Sequence, residues 1–256
     1  MNLQHFIERL AREAGAITLK YFNKPGLVVD TKANDTPVTQ ADRESERYLR
    51  AKITEAFPKD GIIGEEFGEE RPKAARRWIL DPLDGTNSFI HGVPLYGTLI
   101  ALEEGDDVTH GACYLPALNE LVYAERGKGC FWNGDSCKVS SVDQLSASTL
   151  LTTSERGLTG VLGRERYDTL VRSVQLFRSW GDCYGHVLVA TGRAEAMLDP
   201  KMAVWDCGPF AVIIEEAGGV VSDLRGNRTI RGGNFVSSNK EISNPLRDFI
   251  KTSNTR

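Results

Sequence analysis

Apolar side chains recur at close to helical spacing from residue 3 to residue 22, with charged residues between them. This periodicity predicts an amphipathic first helix that ends before Pro25. A second helical pattern follows and ends at Pro58. At its start Thr39 is a candidate N-cap, and Asp42 lies in the first turn, where the helix macrodipole favours an anion. The pattern alone favours capping as the role of this pair.

A short apolar run that begins at Trp78 stops at two carboxylates, Asp81 and Asp84, which a glycine, a threonine and an asparagine follow. This run is typical of a strand that ends at a polar site, and such strand ends commonly carry chemistry. We therefore predict that both carboxylates bind divalent metal ions. The turn from Gly85 to Asn87 is predicted to present backbone N–H groups to a phosphate.

The same pattern occurs upstream, where Ile62 and Ile63 precede a glycine and two adjacent glutamates, Glu65 and Glu66. Adjacent glutamates usually form a solvated surface, but their place at the end of a β-branched run favours a metal ligand. Because neighbours in an extended segment point to opposite sides, one of the two should face the site. We favour Glu65 for that position.

Beyond residue 89 short strands separated by turn residues predict an antiparallel meander. Its strands are expected at residues 96–102, 109–114, 120–125 and 130–132, the last before an Asn133-Gly134 turn. From about Ser140 strands and helices alternate, which favours an α/β second half, with strands at 150–154, 174–179 and 196–199 and helices at 167–174 and 184–191.

The chain is thus expected to consist of two halves. An N-terminal α+β half, residues 1–138, carries most of the metal ligands, and a C-terminal α/β half, residues 139–256, carries Asp206 and the segments that select the substrate. Residues 251–256 are expected to form a frayed tail.

A further helix is predicted to begin at Asp206 and to end at Gly218 and Gly219. An aspartate at this place is commonly an N-cap, but it can also be a metal ligand that the second half brings to the site. Both roles are compatible, because a carboxylate can cap with one oxygen and coordinate with the other.

The composition is that of an ordinary globular protein, with 41% hydrophobic and 26% charged residues. Its 256 residues can form one large domain or two smaller ones. No apolar run approaches the roughly 18 to 20 residues that span a bilayer, and the N-terminus lacks a basic segment before an apolar stretch. These features predict a cytoplasmic protein without a membrane segment.

The five cysteines are odd in number and form no close CxxC pair, so they suggest neither a disulfide framework nor a zinc site. Most are expected to be small core residues. A formal net charge of -4 argues against a general nucleic-acid binder. It does not exclude an anionic substrate, because bound divalent cations can reverse the local potential of an acidic site.

Glu65, Asp81, Asp84 and Asp206 form an oxygen-only set of the type that Mg²⁺ prefers. Two or more Mg²⁺ ions can neutralise phosphoryl charge, activate water and assist the leaving oxygen without a protein nucleophile. This chemistry suits the hydrolysis of a phosphate monoester. An aspartyl-phosphate mechanism uses Asp-x-Asp-Gly-Thr, whereas this chain has Asp-x-x-Asp-Gly-Thr, so the spacing disfavours that alternative.

Three motifs, in this order, resemble the inositol monophosphatase family over nearly the whole chain. They are Gly64-Glu65-Glu66, then Asp81-Pro82-Leu83-Asp84-Gly85-Thr86-Asn87, then Trp205-Asp206 followed by Glu216-Ala217-Gly218-Gly219. The resemblance implies a layered α/β/α/β/α sandwich with a larger antiparallel sheet and a smaller mixed sheet. It also implies a homodimer and a small phosphorylated substrate.

The same resemblance implies roles for individual residues. The ligands of two or three Mg²⁺ ions would be Glu65, Asp81, the backbone carbonyl of Leu83, Asp84 and Asp206. Gly85 and Thr86 match the phosphate-contacting positions. Asp42 and Thr86 match the pair that orients or activates the attacking water, so the expected role of Asp42 moves from capping to catalysis. Glu65 is expected to be catalytic as well.

Within the family, residues 178–186, 190–195 and 197–200 are similar to the histidinol-phosphate phosphatases. Histidinol phosphate carries an amine and an imidazole, so a pocket for it should offer anions away from the metals. The expected substrate-binding residues are Asp182, Cys183, Glu195 and Asp199, while Asp182 could instead cap the helix that follows it. Cys207-Gly208-Pro209 departs from the alanine-rich sequence expected after Trp205-Asp206, and pocket shape can differ there.

The sequence therefore predicts an Mg²⁺-dependent phosphatase that releases phosphate from L-histidinol phosphate in histidine biosynthesis. One alternative is an inositol 1-phosphatase or a broader sugar-phosphate phosphatase. An alternative of another class is a non-catalytic protein that binds metal or an anion for regulation. The complete acidic set, together with Asp42 and Thr86, weighs against this last alternative.

Overall fold

A computed structural model describes residues 2–251 of the protein. The helices of this part are α1 (Leu3–Leu19), α2 (Gln40–Ala56), α3 (Thr86–Ile90), α4 (Glu155–Leu162), α5 (Arg164–Ser173), α6 (Asp182–Ala190), α7 (Val204–Glu216) and α8 (Lys240–Lys251). None of the helices in residues 2–251 is long and apolar enough to cross a membrane. Of the expected tail, residues 252–256 lie outside the described residues.

The strands form a two-stranded ribbon and two larger sheets. They are β1 (Val29–Thr31), β2 (Pro37–Thr39), β3 (Gly61–Gly64), β4 (Gly68–Glu70), β5 (Arg76–Asp84), β6 (Gly97–Glu104), β7 (Asp107–Leu115), β8 (Glu120–Glu125), β9 (Gly129–Trp132), β10 (Asp135–Cys137), β11 (Thr149–Leu151), β12 (Leu176–Arg178), β13 (Ala196–Asp199), β14 (Val220–Ser222) and β15 (Phe235–Ser238).

The larger sheet has eight strands in the order β10-β9-β8-β7-β6-β5-β3-β4. The predicted meander is present from β6 to β10, and the Asn133-Gly134 turn joins β9 to β10. Both turn residues have positive φ, 52° and 90°, as a tight hairpin turn requires. One pair, β3 with β5, is parallel, so the sheet is antiparallel except at this pair.

The smaller sheet has five strands in the order β12-β11-β13-β15-β14. Its first three strands are parallel, and β15 pairs antiparallel with both β13 and β14. The sheet is therefore mixed, as predicted. The sequence analysis did not identify α4, α8, β14 or β15; the two strands have only three and four residues and lie among glycine, serine and asparagine.

Helices and sheets alternate in layers. Helices α1 and α2 share one apolar core with the outer face of the larger sheet, and α6 and α7 share another with its inner face. A third core joins the outer face of the smaller sheet to α4, α5 and α8. These three cores confirm the predicted α/β/α/β/α sandwich and place α6 and α7 between the sheets.

The middle of strand β5 is buried on both faces, which explains the apolar run Trp78-Ile79-Leu80. Trp78 and Leu80 pack in the core that contains α1 and α2, whereas Ile79 packs in the core that contains α7. Because side chains alternate along a strand, Asp81 continues the face of Ile79. That face meets the layer in which the first turn of α7 carries Asp206.

Helix α7 begins at Val204, two residues before the predicted start at Asp206. Asp206 is therefore not the N-cap. Its Oδ2 accepts a hydrogen bond of 2.7 Å from the backbone N–H of Ala203, so it stabilises the helix start from within the first turn. At the start of α2 the predicted capping pair is present, because Thr39 is the N-cap and its N–H donates to Asp42.

Candidate active site

Strand β5 changes register where it reaches the site. It pairs regularly with β6 up to Asp81, and a bulge separates Asp81 from Asp84. Pro82 occupies the bulge and has no N–H to donate, while its carbonyl accepts a hydrogen bond of 3.0 Å from Thr98 Oγ1. Bulges redirect side chains next to active sites. Here the bulge allows two aspartates three positions apart to reach one cluster.

Asp81, Asp84 and Asp206 form this cluster, and one ligand oxygen from each lies within 4.8 Å of the others. A backbone N–H holds each carboxylate in place. Leu83 donates to Asp81 over 3.0 Å, and Cys183 donates to Asp84 over 2.5 Å. With the contact from Ala203 to Asp206, the cluster joins β5, α6 and α7.

The electrostatics of the cluster favour a cation. Burial raises the pKa of Asp81 and Asp84 well above the usual range, and neighbouring carboxylates raise both further. Burial also raises the pKa of Asp206 to about 7. Within residues 2–251 none of the three forms an ion pair with a lysine or arginine. A group of oxygen-only acids that is buried or half-buried and has no counter-charge fits a hard divalent cation such as Mg²⁺.

Glu65 lies at the edge of this cluster. Its backbone N–H donates to the carbonyl of Leu80 over 3.2 Å, which holds it beside β5. Its carboxylate lies 2.7 Å from Nζ of Lys32, and Lys32 also pairs with Glu66 at 2.5 Å. Glu65 lines the cavity described below, whereas Glu66 is not among its described lining residues. The ammonium of Lys32 therefore offsets the negative charge of Glu65, which lies at the edge of the cluster.

Thr86 connects Asp42 to the site. Its Oγ1 lies 3.2 Å from Asp42 Oδ1 and 3.2 Å from the carbonyl oxygen of Leu83. Asp42 is fully buried, and its Oδ2 accepts hydrogen bonds from the N–H and hydroxyl of Thr39. Burial raises the pKa of Asp42. One oxygen of Asp42 thus caps α2 while the other contacts Thr86, so the capping and site roles coexist.

A cavity of about 380 Å³ opens over the cluster, which is large enough for a small phosphate ester. Its lining residues come from the β1–β2 ribbon, the residue after β3, the end of β5, the start of α3, the start of α6, and the segment that leads into the first turn of α7. They are Asn34, Thr36, Pro37, Glu65, Asp81, Leu83, Asp84, Gly85, Thr86, Asn87, Asp182, Lys201, Met202, Ala203, Trp205 and Asp206.

Gly85 shapes the floor of this cavity. Its φ of +81° is in the left-handed region, and a Cβ built there would lie 3.1 Å from Asp182 Oδ2. Thr86 then begins the short helix α3. The two predicted phosphate-contacting residues therefore lie side by side on the cavity surface, next to the acidic cluster.

Asp182 also lines the cavity, on the wall formed by the start of α6. It has a φ of +51°, which is unusual for aspartate, and its backbone N–H donates to Thr153 Oγ1 over 2.8 Å. Its side chain does not cap α6; Oδ2 instead accepts a hydrogen bond of 3.3 Å from Ser88. Burial, followed by the charge of Asp199, raises the pKa of Asp182 to about 6.

The other three predicted substrate residues are not among the described lining residues of the cavity. The Cys183 thiol is buried, and the residue contributes its backbone N–H to Asp84. Asp199 accepts the N–H of Thr153 over 2.8 Å, and Glu195 accepts the N–H of Thr149 over 2.6 Å. These contacts support the strands and loop behind the site, so the geometry does not indicate direct substrate contact by these three side chains.

Sequence reasoning did not assign several residues of the site, among them Lys32, Lys201 and Trp205. Lys32 pairs with Glu65, and Lys201 and Trp205 line the cavity. Two of these residues have a signal in the sequence. Lys201 follows the strand stop at Asp199-Pro200, and Trp205 is next to Asp206. Lys32 lies in a polar ribbon with no comparable signal in the sequence.

Comparison with known proteins places this chain in a family. A model of the inositol monophosphatase family matches residues 2–251. A histidinol-phosphatase of Chlorobaculum parvum is 48% identical over 96% of this chain and 95% of its own length. A histidinol-phosphatase of Mycobacterium tuberculosis is 37% identical over 90% of each chain.

A solved structure agrees with the sequence comparisons. The crystal structure of the extragenic suppressor protein suhB from Bartonella henselae superposes with a TM-score of 0.90 and 28% identity, covering 99% of this chain and 100% of that one. The layered sandwich thus has a close structural counterpart among solved structures. This chain belongs to the inositol monophosphatase family, which confirms the resemblance seen in its motifs.

Proposed function

We propose that this protein is an Mg²⁺-dependent phosphomonoesterase that converts L-histidinol phosphate and water to L-histidinol and phosphate, as a step of histidine biosynthesis. The observation that carries the reaction type is the cluster of Asp81, Asp84 and Asp206, which faces a cavity lined by Gly85 and Thr86. Family membership supports the same reaction type. The names and identities of the two bacterial histidinol-phosphatases support the choice of substrate.

The residues that would hold Mg²⁺ are the three clustered aspartates, Glu65 and the carbonyl of Leu83. Bound Mg²⁺ would supply positive charge for the phosphoryl oxygens and would activate water. Two or three ions are proposed, as the family resemblance implies. Because Lys32 pairs with Glu65, we expect a rearrangement of this pair when Glu65 binds metal.

The remaining roles fall to groups on the cavity floor. The backbone N–H groups of Gly85 and Thr86 would hold the phosphate, since unpaired N–H groups at the start of a helix favour anions. The hydroxyl of Thr86, in contact with Asp42, would orient the attacking water. Asp42 would act through Thr86, because it is buried and is not among the described cavity-lining residues.

Turnover on two substrates tests the proposed function. With Mg²⁺, we expect a kcat/KM for L-histidinol phosphate at least about tenfold above that for inositol 1-phosphate, a difference of about 1.4 kcal/mol in transition-state binding. A chelator should abolish both activities, and added Mg²⁺ should restore them. A preference for inositol 1-phosphate would contradict the choice of substrate. No phosphate release from any small phosphate ester would favour a non-catalytic metal-binding or anion-binding protein.

Asp182 is the proposed selector for the cationic end of histidinol phosphate, because it is the cavity-lining carboxylate outside the proposed metal ligands in the described part of the chain. Asp182→Asn should lower kcat/KM for histidinol phosphate by about 10- to 100-fold, the effect of losing one hydrogen bond to a charged group. A generic ester such as a nitrophenyl phosphate should be hydrolysed at close to the normal rate. Both substrates are measured at saturating Mg²⁺.

Asp143→Asn, a change at an exposed aspartate, provides the control and should leave both rates unchanged. Equal losses on the two substrates would show that Asp182 has a structural role. The expected homodimer, the cytoplasmic location and the division into residues 1–138 and 139–256 are further parts of the proposal, and the family resemblance and the composition support them.

A further inference from the structure

The hairpin of β9 and β10 brings together two cysteines that are not among the described lining residues of the cavity. Cys130 and Cys137 are direct cross-strand partners, and their Sγ atoms lie 3.4 Å apart. The Asn133-Gly134 turn sets this register. Seven positions separate the cysteines in the sequence, so they become a pair only when the hairpin folds.

The backbone geometry of this pair suits a disulfide bond. Residues directly opposite each other on antiparallel strands have Cα atoms about 4.5 or about 5.5 Å apart, and disulfides span about 4.4 to 6.8 Å. No change of register is therefore needed. From 3.4 Å, the two sulfurs need to approach by about 1.4 Å to reach the length of an S–S bond.

The two thiols differ in exposure and acidity. Cys137 is half-buried on the edge strand of the larger sheet, whereas Cys130 is buried. The hydrogen bond with Cys130 lowers the pKa of Cys137, and the nearby cation of Arg193 lowers it further, against the opposing effect of burial. The hydrogen bond with Cys137, and then burial, raise the pKa of Cys130. Cys137 is thus the thiol that can be both deprotonated and reached from solvent.

The other three cysteines lack this combination. Cys113, Cys183 and Cys207 are 0%, 1% and 0% exposed. The Cys113 thiol also raises the pKa of the Cys183 thiol, but an oxidant cannot reach these two buried thiols without opening the core. The partial exposure of Cys137 therefore distinguishes the pair of Cys130 and Cys137 from Cys113 and Cys183.

We propose that Cys130 and Cys137 form a reversible disulfide site on the β9–β10 hairpin, oxidised by a low-molecular-weight disulfide such as glutathione disulfide. The Cys137 thiolate attacks one sulfur of glutathione disulfide, forms a mixed disulfide and releases one glutathione thiolate, which takes up a proton. Cys130 then loses its proton and attacks the Cys137 sulfur, forming the intramolecular bond and releasing the second glutathione. The protein loses two electrons and two protons, and the glutathione disulfide gains them.

Tryptic mass spectrometry of the full-length protein tests this site. Lys128 and Lys138 flank both cysteines without another lysine or arginine between them, so one peptide, residues 129–138, reports on the pair. The folded protein is incubated with glutathione disulfide, denatured, blocked with N-ethylmaleimide and digested. We expect this peptide to be lighter by two hydrogens and unlabelled, while Cys113, Cys183 and Cys207 each carry one label. Prior treatment with a reductant should give two labels on the peptide.

Single variants separate the two chemical steps. Cys130→Ser should accumulate a stable glutathione adduct on Cys137, because the resolving thiol is absent. Cys137→Ser should leave Cys130 reduced and labelled, and Cys113→Ala should oxidise like the unmodified protein. Two labels on the wild-type peptide after oxidation, a persistent glutathione adduct on Cys137 in the wild type, or a bond between Cys113 and Cys183 instead would each overturn the proposal. None of these results depends on phosphatase activity.

Discussion

Asp84→Asn is expected to lower phosphate-ester turnover by about a thousandfold at an Mg²⁺ concentration that saturates the unmodified protein. The amide can still accept the N–H of Cys183, which in the native protein donates to Asp84 Oδ2 over 2.5 Å. What it removes is one of three clustered negative charges, of which Asp81 is buried and Asp84 and Asp206 are half-buried. A metal ion contributes several kcal/mol of charge stabilisation, and about 1.4 kcal/mol corresponds to a factor of ten in rate.

The same substitution should leave the fold intact. Without metal, Asp81, Asp84 and Asp206 are like charges in a cluster that is half-buried at Asp84, so removing one charge relieves repulsion and desolvation cost. The melting temperature in chelator should therefore equal or exceed that of the unmodified protein while activity is lost. Isothermal titration with Mg²⁺ should show weaker binding. Near-normal turnover would remove Asp84 from the site.

Asp223→Asn is a matched control for this experiment. Asp223 is also a buried carboxylate that accepts backbone N–H groups, but it is not among the described lining residues of the cavity. Its substitution should lower the melting temperature without a thousandfold loss of turnover. The two variants together separate the loss of a charge at the metal site from the loss of a buried carboxylate elsewhere in the fold.

The strand stop at Asp81 and Asp84 was readable from the sequence because an apolar run and two carboxylates are adjacent along the chain. The bulge that brings both side chains to one cluster was not readable, since it depends on how β5 pairs with β6. The approach of Asp206 from α7 likewise depends on the packing of the middle layer. Motif resemblance supplied Asp206, whereas periodicity alone left its role open.

Asp42 shows how a local pattern can be correct and incomplete. The capping motif at the start of α2 is present, and the same carboxylate also contacts Thr86, which is 44 positions further along the chain. Local spacing cannot report the second contact. Glu195 shows a limit of resemblance. The resemblance implies a role in substrate binding, whereas in the structure the Glu195 carboxylate accepts the N–H of Thr149 at the start of β11.

The spacing of the cysteines along the sequence also did not predict which of them lie close together in the fold. The absence of a CxxC motif correctly described the sequence, but it did not exclude a close pair that a hairpin creates. The turn residues Asn133 and Gly134 were recognised, and counting outward from them along both strands pairs Trp132 with Asp135 and then Cys130 with Cys137. That register could have been derived from the sequence by taking the turn as the reference point.

The stability of the metal-free protein should fall as the pH rises from about 5 to about 8. Asp206 and Asp182 have pKa values raised to about 7 and about 6, and the pKa values of Asp81 and Asp84 are also raised. Between the unfolded pKa of about 3.9 and these folded values, the folded protein binds more protons than the unfolded chain. The favourable contribution is therefore fully present below about pH 4 and is lost as the pH rises through the folded values.

Mg²⁺ should reverse this trend. Metal binding needs deprotonated carboxylates, so the affinity of the cluster for Mg²⁺ rises over the same pH range in which the metal-free protein loses stability. Because the cation binds the folded state preferentially, the rise in melting temperature on adding Mg²⁺ should be small near pH 5 and reach several degrees near pH 8.

Differential scanning fluorimetry across this pH range, in chelator and in Mg²⁺, measures both effects. Asp84→Asn should flatten the pH dependence in chelator, because it leaves fewer like charges to separate in the cluster, and it should reduce the response to Mg²⁺. Asp223→Asn should shift the whole curve while keeping its slope. A melting temperature in chelator that rose with pH would contradict this prediction. It would mean that the carboxylates ionise more readily in the folded protein than in the unfolded chain. That result would require a fixed positive charge at the cluster in place of an exchangeable metal ion.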